Sequence, residues 1–270
     1  MRRRTLQCNN FPKLYPPENT IYYTTNDQKI ANVHDYWEQP VQNYYDKRSD
    51  IGAMSWNHPL TEIPAISGHP FFYSQRNLLT ITLPNTVKRL NWGCFYGCSN
   101  LYKVNVEDLN LEFLGYGCFE STNIQQLDFR NSTFTELEGQ SLRTCTTVDY
   151  VLLPQTLQGV IPVDTFSGFN YNETRIKTLM APSIAHSCFR VENVILENLI
   201  ITKPDGLAEL HHFDTNCVIW VPDEWYDEYV EYYTNFVPNA QLSRENCEDI
   251  IMRLRKYSNG VPQFPRTGLL

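Results

Sequence analysis

The sequence lacks any long apolar run. Nothing in it approaches the roughly 18 to 20 apolar residues that a membrane-spanning helix needs. A leader-like start is missing too. After Arg2-Arg3-Arg4 comes TLQCNNFPKLYPP, polar and broken by proline where a secretory signal carries an apolar core. Neither a signal nor a membrane anchor is therefore expected, so the chain reads as cytosolic when made, already mature, or released without that route. Basic runs are as scarce: Arg2–Arg4 is the one dense group, and the formal charge is −8. Nucleic acid is not expected as a partner, because neutralising phosphates needs a basic face. The motifs of common catalysis are also absent: no G-x-S-x-G, no P-loop, no H-E-x-x-H and no glycine-rich dinucleotide turn. The acidic pair Asp227 and Glu228 falls on a helical pattern, a poor frame for a two-carboxylate site. The reading is a non-enzymatic chain that needs no cofactor.

What the chain does have is apolar and aromatic substance. At 42% hydrophobic and 19% charged it can bury a core, and its 17 tyrosines lead a 13% aromatic fraction. Tyrosine joins apolar area to a polar tip, which suits partly exposed binding faces.

The decisive feature is a repeat. Aligned on one aromatic position, the chain reads Phe71 or Phe72, Phe95, Phe119, Leu142, Phe166, Phe189 and Phe213. From Phe95 onward each step is about 23 or 24 residues, a register held five times in succession, as stacked structural repeats require. In the same phase runs an L-x-x-I-x-L pattern: Leu78, Ile81, Leu83; Leu101, Val104, Val106; Ile124, Leu127, Phe129; Val148, Val151, Leu153; Ile176, Leu179, Ala181. Its alternation marks a short strand with one buried face. Pro84, Pro154 and Pro182 follow three of these runs and end the strands, because proline cannot donate to a ladder. Another buried position precedes each aromatic by a fixed short interval: Leu90, Leu114, Leu137, Ile161 and Ile184. A unit of about 23 residues cannot bury its own apolar face, whereas stacked neighbours can.

The expected fold is a leucine-rich-repeat solenoid, mainly β. It has short parallel strands joined by tight turns or 3-10 pieces, and a C-terminal α-helical cap. Residues 1–19 read as an N-terminal arm and 20–57 as a cap or lead-in. The repeats occupy 58–216, a closing strand and cap helix 217–236, and a second helix with an extended tail 237–270. Trp225, Tyr229, Tyr232 and Phe236 form one helical stripe. Asp223, Glu224, Asp227 and Glu228 crowd the first turns of that helix, where its dipole favours negative charge. NCEDIIMRLRKYS (246–258) reads as a further amphipathic helix.

No metal site is expected from the cysteines or histidines. Cys94 and Cys98 are spaced differently from the C-x2-C of zinc sites. Cys94, Cys118 and Cys188 each sit one residue before the aromatic position, and Cys98 and Cys145 three after it, so small thiols packing a tight turn account for them. His211, His212 and Asp214 lie in the phase of the same turn, and no metal is expected there either.

LLTITLPNTVKRLNWGCFYGCSNLYKV (78–104) resembles the BspA-type leucine-rich repeat, found in bacterial surface and adhesion proteins and in repeat proteins carried by phages of gut bacteria. TIYYTTNDQKI (20–30) is similar to the lead-in of that family, and CVIWVPDEWYDEYVEYYTNF (217–236) to its closing strand and cap helix. Departures fall near 124–147 and 191–216. The resemblance implies binding of a protein or glycan partner along the strand face. The outward candidates are Lys103, Asn105, Gln126, Asp128, Tyr150, Leu152, Met180 and Trp220, a row that turns apolar toward the C-terminal end. Whether that row is open to a partner or covered by the chain stays undecided by sequence. So does the choice between an adhesion module and a structural or host-recognition component of a virion, docked through the N-terminal arm or the C-terminal tail.

Overall fold

The computed structural model describes residues 15–143, 147–158, 161–162, 165–166, 174–182, 194–203, 216–235 and 244–258. Phe189, Phe213, Ile184, Phe236, the His211–Asp214 group, Cys8, Cys145, Cys188, most of the N-terminal arm and the extended tail after 258 lie outside them.

The chain opens with β1 (Thr20–Thr25), β2 (Gln42–Asp46) and β3 (Ile51–Ser55). In order there follow β4 (Glu62–Ile63), β5 (Leu78–Thr82), β6 (Arg89–Leu90), β7 (Lys103–Val104), β8 (Phe113–Leu114) and β9 (Gln126–Asp128). Then come β10 (Thr147–Leu152), β11 (Thr174–Ala181), β12 (Val194–Ile201) and β13 (Val218–Pro222). Two helices, α1 (Asp223–Asn235) and α2 (Arg244–Arg253), precede β14 (Leu254–Tyr257).

These elements build a β-solenoid of about five turns. One flank is formed by a five-stranded sheet, β2-β3-β1-β5-β7, continued by a six-stranded sheet, β9-β10-β11-β12-β13-β14. A second flank is the parallel sheet β4-β6-β8. The repeat strands pair in parallel with the strand one coil later, except that β7 and β9 fall in separate sheets. The N-terminal cap differs: β1 lies antiparallel to β5 and to β3, closing the first rung with a hairpin.

Every member of the L-x-x-I-x-L series from Leu78 to Ala181 is buried, as are Leu90, Leu114, Leu137 and Ile161. The aromatic positions stack directly: Phe72 on Phe95 at 5.8 Å between ring centres, and Phe95 on Phe119 at 5.5 Å. Strands β5, β10 and β11 end one residue before or at the residue that precedes proline, as the missing donor requires. On the third side of each coil the turn backbones are bonded in their own ladder: Gly93 N donates to Tyr116 O, Phe95 N to Cys118 O and Gly97 N to Glu120 O, at 2.8, 3.1 and 3.0 Å.

One C-terminal expectation needs correction. The sequence reading extends a helix over 246–258, but α2 stops at Arg253 and the next four residues form β14, parallel to β13. The solenoid therefore gains one more rung after its helices. Leu254 is buried and takes the inward position opposite Ile219. In α1 Tyr229 is buried and Trp225 and Tyr232 of the same stripe pack partly against the core, with Tyr233 buried beside them. Among the described residues no helix is long and apolar enough to cross a membrane.

Candidate binding face

Because consecutive rungs pair in register, side chains at equivalent positions form rows that run across the strands. The first outward row is Gln126, Tyr150, Thr178, Asn198 and Val218. Beside it runs Asp128, Leu152, Met180, Ile200, Trp220 and Arg255. Lys103 stands opposite Thr80 at the N-terminal end of this face.

The polar members of the first row lie across the sheet and link neighbouring rungs. Tyr150 and Gln126 are joined by a hydrogen bond of 3.2 Å from the phenol to Oε1. Trp220 Nε1 donates to Asn198 Oδ1 at 3.4 Å, and Asn198 Nδ2 donates to the Lys177 carbonyl at 3.1 Å. Around the rows sit ion pairs: Lys177 Nζ with Asp149 Oδ1 at 2.6 Å, Arg175 with Glu197 at 3.1 Å, and Arg130 gripping Asp128 through two bonds of 2.9 and 2.6 Å. The hydrogen bond from Lys177 to Asp149 raises the lysine's proton affinity above its ordinary value, and the Asp128 bonds do the same for Arg130. These pairs are partly exposed, so they contribute little stability and mainly fix where charge of each sign is displayed.

Six of the eight expected side chains lie on this face with surface open to solvent: Lys103 is exposed, while Gln126, Asp128, Tyr150, Leu152 and Trp220 are half-buried. Two do not. Asn105 is 6% exposed, and its amide bonds both backbone groups of Leu83, with Oδ1 accepting from the N–H at 2.7 Å and Nδ2 donating to the carbonyl at 3.1 Å. The cause is local: β7 is only two residues long, and the chain enters a 3-10 turn at Val106–Asp108, so Asn105 has left the strand. Its side chain supplies the pairing that the backbone no longer provides to Leu83. Met180 is 1% exposed and Ile200 0%, although neither belongs to the inward core cluster. The chain itself covers the centre of the second row. The apolar patch expected there is thus reduced to its flanks, Leu152 on one side and Trp220 on the other.

Sequence reasoning missed Ile200, Asn198 and the Asp149–Lys177–Glu197–Arg175 charges. The signal is obscured by a change of step. Val151 pairs with Leu179, then Leu179 with Leu199 and Leu199 with Ile219. The first of these steps is longer than the usual repeat and the next two are shorter. A search fixed on one repeat length loses phase here.

The described thiols of the repeat turns are packed inward. Cys94, Cys98 and Cys118 are fully buried, with the Cys94 and Cys118 sulfurs 3.1 Å apart and Cys98 Sγ donating to the Phe72 carbonyl at 2.9 Å. Burial pushes the Cys98 thiol up to about 12 and the Cys94 thiol well above its ordinary value. Among the described residues no three His, Cys, Asp or Glu side chains group as metal ligands do.

The in-register rows, stacked phenylalanines and glycine-cysteine-phenylalanine turns agree with the comparison by family. Residues 66–196 match the BspA type leucine rich repeat region in six copies. The segment is a run of BspA-type leucine-rich repeats. No curated protein and no solved structure matches the chain. Such repeats are typically non-enzymatic and suggest a module for protein interaction or adhesion. In this BspA-type array Cys94 and Cys118 occupy the same position of successive repeats, buried against each other.

Proposed function

We propose that the chain is a non-enzymatic binding module that holds a protein partner on the outward strand face. The observation that carries this reading is the composition of the flanks. Tyr150, Leu152 and Trp220 offer aromatic and aliphatic area, ringed by Lys103, Asp128–Arg130, Asp149–Lys177 and Arg175–Glu197. Interface centres are enriched in such aromatics, and paired charges at the rim set orientation and choice of partner. Use of the face in surface adhesion is a narrower form of the same reading, and a glycan in place of a protein is the alternative partner class.

The test is a peptide and glycan array probed with the chain and with a Tyr150→Ala/Trp220→Ala variant. Binding to peptide spots that falls at least tenfold in the variant, with a melting temperature lowered by only a few degrees, supports the reading. Equal binding of both chains to the same spots overturns it. A glycan-only pattern replaces protein by glycan as the partner class.

A further inference from the structure

The strand face does not end at the first repeat. Tyr44 on β2 pairs with Ala53 on β3, Ala53 with Tyr22 on β1, and Tyr22 with Thr82 on β5, so one row crosses the N-terminal cap into the repeats. In this row a small residue stands between two large ones. Ala53 is 5% exposed even though it faces away from the core, since a tyrosine stands on either side of it. The next outward pair is Asp46 with Ile51, at the hairpin end of the same two strands. Together with Ser49 these side chains line a cavity of about 190 Å³: two aromatic walls, an Ala53 and Ile51 floor, and a carboxylate at one end.

We propose that this slot binds a cationic side chain, arginine or lysine, of the partner protein. The proposal rests on the strand face being a protein-binding face, and it names the chemistry of one anchor on it. Aromatic walls attract a cation and cover the aliphatic stem that carries it. A carboxylate at the end then completes a charge-assisted hydrogen bond. Asp46 keeps that capacity. Its Oδ1 accepts from the Arg48 N–H at 2.9 Å and its Oδ2 from the Ser49 hydroxyl at 2.9 Å, which leaves lone pairs on both oxygens. Those two bonds also hold the carboxyl below its ordinary value, so it is ionised at neutral pH. Tyr44 is 55% exposed, so this wall is open to an incoming group. A long-range pull works in the same direction, because the whole chain carries a formal charge of −8.

The probe is N-acetyl-arginine amide, followed through the ring signals of Tyr22 and Tyr44 by NMR. N-acetyl-citrulline amide, of the same size but neutral, serves as the control. Saturable shifts with a Kd of roughly 1–10 mM for arginine, and binding at least tenfold weaker for citrulline, are expected. Asp46→Asn, at an exposed hairpin position, should weaken arginine several-fold, and Ala53→Leu should fill the slot and abolish the shifts. Absence of saturable shifts, equal binding of citrulline, or an unaltered Kd in Asp46→Asn overturns the proposal. The Tyr150→Ala/Trp220→Ala chain should bind arginine amide normally. Failure of the slot therefore shows in the arginine titration, and failure of the strand-face reading in the array, independently of each other.

Discussion

Asn105 shows how one amide stabilises a coil where backbone pairing stops. Both groups it bonds belong to Leu83, which is 1% exposed, so water cannot replace the lost partners. Truncating Asn105 to alanine leaves a buried N–H and a buried carbonyl unsatisfied, each at a cost of about 1–3 kcal/mol. The expected outcome in urea unfolding is a loss of about 2 kcal/mol or more for Asn105→Ala. Lys103→Ala, two residues away but exposed, should stay within about 0.5 kcal/mol. Equal effects of the two variants would show that the amide is not part of the ladder. Sequence places Asn105 outward because period-two counting assumes that a strand continues, and nothing in K-V-N-V announces that it has already become a 3-10 turn. The inward partners Val104 and Val106 are legible because burial of an apolar side chain is indifferent to that change.

At the scale of the element, the tight turn is the most repetitive part of the protein and the least uniform in sequence. Two positions of the turn take the left-handed region, and both do so at Gly93–Gly97 and at Gly117–Ser121. One position is occupied by Gly93, Gly117 and Gln140, with φ of 57, 60 and 58°. The other holds Ser74, Gly97 and Ser121, at 50, 73 and 59°. Backbone geometry is thus kept from coil to coil while glycine, the residue that adopts it without strain, is present only at some coils. A left-handed non-glycine residue costs about 1–2 kcal/mol, part of which glycine returns as extra chain entropy in the unfolded state. Ser121→Gly and Gln140→Gly should therefore each raise stability, by about 0.5–1 kcal/mol in chemical denaturation. Destabilisation by both would mean that their side chains contribute more than the strain they impose. The same reasoning explains what sequence can read of the elements. G-C-F announces the turn where glycine is used, and L-x-x-I-x-L announces the strands as far as β11. The longer and shorter steps beyond β10 keep the strand pairing but not the count. In β14, the run L-R-K-Y follows a helical pattern without a breaker, so only its pairing with β13 reveals a strand.

For the whole molecule the question is whether so many small units unfold as one. Repeat arrays are held by contacts between neighbours, and cooperativity fails wherever one junction is much weaker than the rest. The strand flank is interrupted between β7 and β9, where the two sheets are separate and the backbone bonds are Asn123 N to Leu101 O at 3.0 Å and Gln125 N to Tyr102 O at 3.4 Å. Two other links span the same coils. The turn ladder joins Gly93, Phe95 and Gly97 to the next coil, and the phenylalanine stack runs through it from Phe72 to Phe119. One core cluster extends from Ile21 to Leu254 across the break. Continuity of core and turn ladder should outweigh the gap in the sheet, giving a single transition. Tryptophans placed at the two ends allow a direct check: Trp56 is buried in the N-terminal cap, and Trp220 lies on β13. In chains whose other four tryptophans are replaced by phenylalanine, leaving Trp56 or Trp220 alone, fluorescence should follow far-UV circular dichroism through the same urea midpoint. A Trp56 midpoint displaced from the dichroism by more than roughly 0.3 M urea would place a boundary between two folding units at the β7–β9 junction.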